Sequence, residues 1–307
     1  MRLAADRVIV RVPATSGNVG PGFDSLGLAL GVYDEVEVRL VASTQDSVEV
    51  RGEGEGEVPL DGSHLIVRAV KATLEHVGAP VAGVHLRCTN TIPHGRGMGS
   101  SASAAVAGIV AARAMLADPH ALDSNGVLAI ANEFEGHPDN AAPAILGGAT
   151  VAWIDDEAGP LAVRLPVDPE ITATVLIPEA RLSTAQARAV LPARVPLADA
   201  AFNAGRTALL VEALSGRPEL LYAATADRLH QDYRATVMTT SHHLLTALRE
   251  QGFAATISGA GPCVLVLAAR RDLLALDTAV VDLLADLPGW RALRPGIDLE
   301  GAQARRL

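Results

Sequence analysis

A chain of 307 residues is long enough for two packed domains, and it is 49% hydrophobic but only 3% aromatic. Its core must be built from aliphatic side chains, which argues against an aromatic-lined groove for single-stranded nucleic acid. With 35 acidic residues against 25 lysines and arginines the net charge is −10, so the basic face needed by a phosphate-backbone binder is not expected either.

The N-terminal residues offer no long apolar run with a small-residue cleavage site, and no uncharged apolar stretch reaches the ~20 residues of a membrane helix. A cytoplasmic protein with no membrane partner is expected. Residues 8–12 (VIVRV) read as a strand, stopped by Pro13 and followed by a Gly- and Ser-rich loop. Residues 34–41 and 47–51 alternate apolar and polar positions, as half-buried strands do. The acidic, glycine-rich stretch 51–62 reads as an exposed turn. Residues 63–76 carry helical spacing closed by Gly78 and Pro80, and 84–89 return to strand.

The loop PHGRGMGSS, residues 93–101, opens onto an Ala-rich helix over 102–117, with a second helix over 124–134. Residues 135–148 (EGHPDNAAPAILGG) fit neither period, and 150–154 read as strand. Charge, Gly and Pro cluster at 155–160, which divides the chain into expected domains 1–158 and 159–307. Beyond it come a strand at 172–177 and helices at 183–189, 196–215, 218–229 and 241–251. Residues 254–269 read as two strands folded about a Gly-rich turn, and 273–287 as a last helix. Cys88 and Cys263, far apart and inside apolar runs, read as small core residues.

A strand, then Gly95, Gly97, Gly99 and Ser100–Ser101, then a helix: this order suits a polyphosphate. Glycines let the backbone fold close around it, and the helix N-terminus aims N–H groups and a favourable dipole at it. The serines can cap the helix, and one can reach a magnesium ion. The only lysine, Lys71, lies outside any Gly-Lys-Ser/Thr loop, so this is no Walker A motif. The glycine spacing does not fit a dinucleotide fingerprint.

Three segments stand in fixed order: PATSGNVGPGFD at 13–24, PHGRGMGSSASAAVAG at 93–108 and ISGAGPC at 257–263. Together they resemble the GHMP kinase superfamily, whose middle motif is P-x-x-x-G-L-G-S-S-A, with Met98 in place of the leucine. Within it, the run EGHPDN at 135–140 with Ala142-Pro143 and Gly147-Gly148, Thr184 and Arg188 before Leu191-Pro192, and LHQDYR at 229–234 resemble the homoserine kinase family. One departure is DGSHLI at 61–66, with His64 where that family carries an Asn near the adenine.

The resemblance implies an α+β fold in two domains, the first of the ribosomal protein S5 domain 2-like type and the second ferredoxin-like, with the site between them. It implies ATP and Mg²⁺, L-homoserine as substrate, and a homodimer. Phosphate contacts are expected from Pro93, His94, Gly95, Arg96, Gly97, Met98, Gly99, Ser100, Ser101 and Ala102, and a nucleotide contact from His64. Ser101 with Glu133 or Glu135 would hold the metal, Glu133 being preferred. Homoserine is a zwitterion. Arg188 and Arg234 suit its carboxylate, and Asp24 and Asp139 its ammonium and hydroxyl. Asn18, His137, Asn140, Thr184 and Gly261 complete the expected pocket. Asp139, Asn18 and Arg188 are the catalytic candidates, with Asp139 either a base or a substrate contact. A mevalonate-type or sugar kinase, or a silent binding protein on the same fold, are the competing readings.

Overall fold

The computed structural model describes residues 1–81 and 83–307. β1 (Arg7–Gly17) and β2 (Leu26–Val41) form a long antiparallel hairpin, whose register shifts between Pro13 and Ala14, where proline has no N–H to give the ladder. β1 runs five residues beyond the expected strand and β2 starts eight earlier. Residues 26–30 are buried on both faces, so the period-2 signal is erased there. β3 (Ser47–Gly52) pairs in parallel with β4 (Gly83–Asn90), and α1 (Leu65–His76) lies between them in the chain.

α2 (Ser100–Met115), α3 (Ser124–Glu135) and α4 (Ala141–Leu146) follow, then the hairpin of β5 (Ala149–Asp155) and β6 (Gly159–Leu165). α2 is buried along most of its length, as its run of Ala and Val demands. It packs with α1 against the inward valines of the sheet: Val8, Val10, Val36 and Val38 meet Val67, Val70, Val106 and Ile109. α4 and β6 were not expected. The 155–160 tract, read as a domain boundary, is the turn of the β5–β6 hairpin, so a division at 158 cuts one sheet in two. Between the two sheets the chain crosses after Leu165 and before Ile171.

The second sheet is built from β7 (Ile171–Pro178), β8 (Ala254–Ile257), β9 (Val264–Ala269) and β10 (Trp290–Leu293), in the order β10-β7-β9-β8 with every neighbour antiparallel. This is the ferredoxin-like order expected. Between β7 and β8 lie α5 (Thr184–Ala189), α6 (Leu197–Gly216), α7 (Leu221–Ala224) and α8 (Thr239–Glu250); α9 (Leu273–Leu284) precedes β10. The helix expected at 218–229 shrinks to a 3-10 turn and α7. The Asp227 carboxylate takes the N–H groups of Leu229, His230 and Gln231, a local alternative to helical pairing. Last in the chain, β11 (Gln303–Arg306) returns to the first sheet and pairs antiparallel with β1.

Candidate active site

The end of β1, the glycine loop and the turn between β8 and β9 converge. Thr15 N–H donates to the Met98 carbonyl (3.0 Å), Gly259 N–H to the Gly17 carbonyl (3.1 Å), and Ser258 Oγ to the Gly97 carbonyl (2.7 Å). The approach is tight enough to require glycine. Gly97 and Gly99 hold φ of 78° and 68°, and a Cβ would collide with the Ser258 carbonyl at the first and with Thr15 Oγ1 at the second. Above this junction is a cleft of about 160 Å³ lined by residues of both sheets' loops.

The glycine-loop side comes first. α2 starts at Ser100 after a left-handed Gly99, and no side chain caps it, so the expected serine cap is not made. Its first N–H groups are left for a ligand, with the helix dipole behind them. Ser101 Oγ donates to Glu135 Oε1 at 2.5 Å, and burial pushes the Glu135 carboxyl above the usual carboxylate range. Glu135 lines the cleft, whereas Glu133 is exposed and does not, which corrects the preference for Glu133. Four loop assignments also change. Pro93, Met98 and Ala102 are buried, Met98 in the core at the leucine position, and their side chains do not line the cleft. The Arg96 guanidinium turns away from the cleft, to the carbonyls of Pro178 (2.8 Å) and Glu179 (3.0 Å).

Opposite lies a cluster of charges. Arg188, on α5, makes a bidentate pair with Asp24, and its cationic form is favoured by that bond. Arg234 is 1% exposed and donates to the carbonyls of Ala187 (3.2 Å) and Gly259 (3.1 Å). Burial lowers its pKa to about 10, which leaves it a cation at neutral pH. The Phe23 ring sits beneath both guanidinium carbons, at 5.5 and 5.7 Å. Asn18 and Asp24 both take left-handed backbone, with φ of 62° and 53°. The Asn18 side chain ties the strained turn together, accepting from Asp24 N–H and donating to the Gly259 carbonyl, each at 2.9 Å.

Asp139 lies under the floor of the cleft, fully buried. One oxygen receives Asn18 N–H (3.0 Å) and the other faces His137 Nδ1 (2.7 Å), a bond that raises the His137 pKa. Asn140 Oδ1 receives Gly17 N–H and the Thr15 hydroxyl, anchoring the end of β1. His137, Asn140, Thr184, Gly261 and Asn18 all line the cleft.

A second cavity of about 230 Å³ adjoins the first and shares Ser100 and Ser101 with it. His64 and His94 line it with Asp34, Asn90 and apolar side chains. Burial lowers the pKa of both histidines, so they are neutral at physiological pH. His64 Nδ1 accepts Ile66 N–H at 3.2 Å as the cap of α1, which fixes the proton on Nε2.

Residues 64–148 match the GHMP kinases N terminal domain. A homoserine kinase of Leifsonia xyli is 49% identical over 305 residues, covering 99% of this chain and 94% of its own. The chain belongs to the homoserine kinase family. A homoserine kinase of Streptomyces coelicolor is 48% identical, covering 97% and 94% of the two chains. The crystal structure of homoserine kinase from Cytophaga hutchinsonii superposes with a TM-score of 0.87 at 26% identity, over 98% of each chain. The two-domain GHMP kinase fold expected from the motifs is therefore the fold of this homoserine kinase family member.

Reading the motifs missed several residues at this homoserine kinase site. Leu182 and Ser183 line the cleft. His230 is fully buried, held between the Gly20 carbonyl (2.7 Å) and Arg234 Nη1 (3.0 Å), so it presents a lone pair to the guanidinium. The spacing of His230 and Arg234 in the LHQDYR run was the available signal for that pairing. Nothing in the sequence announced the cleft-lining stretch 182–183.

Proposed function

We infer that the chain transfers the γ-phosphoryl group of ATP to the hydroxyl of L-homoserine, giving O-phospho-L-homoserine in threonine biosynthesis. The observation that carries this reading is one cleft with an uncapped helix N-terminus behind a glycine loop on one wall and Arg188 and Arg234 on the other, Arg188 being paired with Asp24. The first suits a polyphosphate. The second suits a small zwitterion, because planar guanidinium groups bind a carboxylate with two parallel hydrogen bonds.

In this reading the backbone of the loop from Gly95 to Ser101 and the start of α2 hold the β- and γ-phosphates, and the base enters the second cavity beside His64 and His94. Ser101 and Glu135 are adjacent oxygen donors, the kind of set Mg²⁺ takes when phosphate and water supply the remaining ligands. Bound there, Mg²⁺ would offset charge on the phosphate oxygens. Arg188 and Arg234 receive the homoserine carboxylate and Asp24 its ammonium. Asn18, His137, Asn140 and Thr184 orient the hydroxyl. Asp139, buried and bonded at both oxygens, positions Asn18 and His137, and the hydroxyl proton leaves on the phosphoryl group or to water.

The nucleotide is assigned to the first domain, with its boundary moved beyond β6. Among the described residues no helix is long and apolar enough to cross a membrane, and we propose a cytoplasmic homodimer. A coupled ADP-release assay with Mg·ATP tests the substrate, comparing L-homoserine with mevalonate, galactose, L-serine and L-threonine. Turnover confined to homoserine supports the reading; turnover with mevalonate or galactose instead, or with none of the five, overturns it. Light scattering on the purified protein tests the dimer.

A further inference from the structure

Arg96 sits at the centre of the phosphate loop yet spends its side chain elsewhere. Its Nε and Nη2 reach the carbonyls of Pro178 and Glu179, and Nη1 lies 3.4 Å from the His94 carbonyl and 3.5 Å from Glu53. The side chain is only 13% exposed. A guanidinium presents its donors in a rigid planar fork, so it fixes two consecutive carbonyls relative to each other more firmly than an ammonium on a flexible stem. The same short stretch is tied to the loop once more, by Leu182 N–H donating to the Gly95 carbonyl at 2.9 Å. Arg181 packs over Gly95 and pairs with Glu57, but that pair is half-exposed and contributes little.

What hangs from this stretch matters. Residues 179–183 carry no regular structure and connect the end of β7 to α5, which brings Thr184 and Arg188 into the cleft. Ser183 closes a capping box with Gln186, so α5 follows its tether as a unit. Asp24 and Arg234 hold the far side of α5, through Arg188 and the Ala187 carbonyl, while its entry from the phosphate loop is tethered by Arg96 and by the Leu182–Gly95 bond.

We propose that Arg96 is a positioning residue that couples the two halves of the site: by clamping residues 178–179 to the phosphate loop it links nucleotide binding on the loop to the placement of α5 and hence to homoserine affinity. This rests on the nucleotide and homoserine assignments made above for the cleft. Linkage makes the effect mutual, so nucleotide tightens homoserine by the same factor as homoserine tightens nucleotide.

Two measurements on the full chain test it, on the parent, Arg96→Met and Arg96→Lys, with melting temperatures recorded to establish folding. The first is amide hydrogen exchange over residues 180–189 with and without a non-hydrolysable ATP analogue and Mg²⁺. The expected result is slowed exchange on nucleotide binding in the parent, none in Arg96→Met and a partial effect in Arg96→Lys, which keeps the charge and donors but loses the rigid fork. The second is steady-state kinetics: Arg96→Met should raise the homoserine KM about tenfold, the loss of one to two hydrogen bonds to a charged donor, with a smaller change in kcat. Exchange that responds to nucleotide equally in all three proteins, or a rise confined to the ATP KM, overturns the proposal. Because the exchange arm needs no homoserine, it stands or falls apart from the substrate assignment. Should Arg96→Met not fold, the Arg96→Lys arm decides alone: parent-like exchange and KM overturn the coupling.

Discussion

Asp24 and Arg188 face each other in a two-point ion pair at 2.5 and 3.1 Å, although 164 residues separate them in the chain. Each carries the charge that one end of an amino acid seeks. An incoming zwitterion would thus exchange one internal pair for two external ones, and Asp24 and Arg188 stay paired with each other when the cleft empties. About a third of each side chain is exposed, so the pair itself contributes little to folding, about 0–1 kcal/mol.

Removing either partner should therefore act on substrate more than on stability. Arg188→Leu and Asp24→Asn should each raise the homoserine KM by about tenfold to a hundredfold with melting temperatures near the parent's. The double variant should lose less than the product of the two, because the residues share one interaction. Steady-state kinetics on the four proteins checks this; strict multiplicativity would count against a shared role.

Glu135→Gln should lower kcat by about two orders of magnitude and raise the Mg²⁺ concentration needed for half-maximal rate. Glu133→Gln should do neither, since Glu133 is exposed and outside the cleft. A magnesium titration of both variants separates the two glutamates directly.

His64→Ala should destabilise α1 by about 1 kcal/mol through loss of its N-cap and raise the ATP KM, leaving the homoserine KM in place. His64→Asn should preserve both, since asparagine caps well and also offers an N–H donor. Equal ATP KM values in all three proteins would remove His64 from the nucleotide pocket.

Asp34 gives a pH signature. Burial raises its pKa from 3.8 to about 6, while the Ile92 and Thr91 N–H groups it receives oppose the shift. A carboxyl raised in the folded state favours folding while protonated, and that contribution fades as pH climbs from about 4 through about 6. Asp34→Asn keeps an acceptor for both N–H groups but never ionises. Its melting temperature should match the parent's near pH 4 and exceed it above pH 6.5; a difference independent of pH would contradict the burial argument.

How far the residues could be read in advance varies with the physics. The glycine loop was legible because Gly97 and Gly99 are forced by backbone approach, and the strand–loop–helix order shows in the sequence itself. β2 before Asp34 was not, because a segment buried on both faces has no alternation to detect. α4 was hidden by Pro138 and Pro143, which suit a helix start and first turn but read as breakers. The choice between Glu133 and Glu135 depends on helix phase: two residues rotate a side chain by about 200°, so only one can face Ser101. The direction of Arg96 depends on carbonyls some eighty residues away and leaves no local trace.

The pairing of β11 with β1 has a consequence for how the protein is made. β1 is made before both the rest of its own sheet and the second sheet, yet the strand that covers its outer edge follows all of them in the chain. During synthesis the first sheet therefore presents an open strand edge, the kind of surface on which nascent chains stick to one another. Completion of that sheet must wait until the whole second sheet has been made, which makes β11 a latch closed late, and disrupting β11 would be felt first as poor yield rather than as slow catalysis.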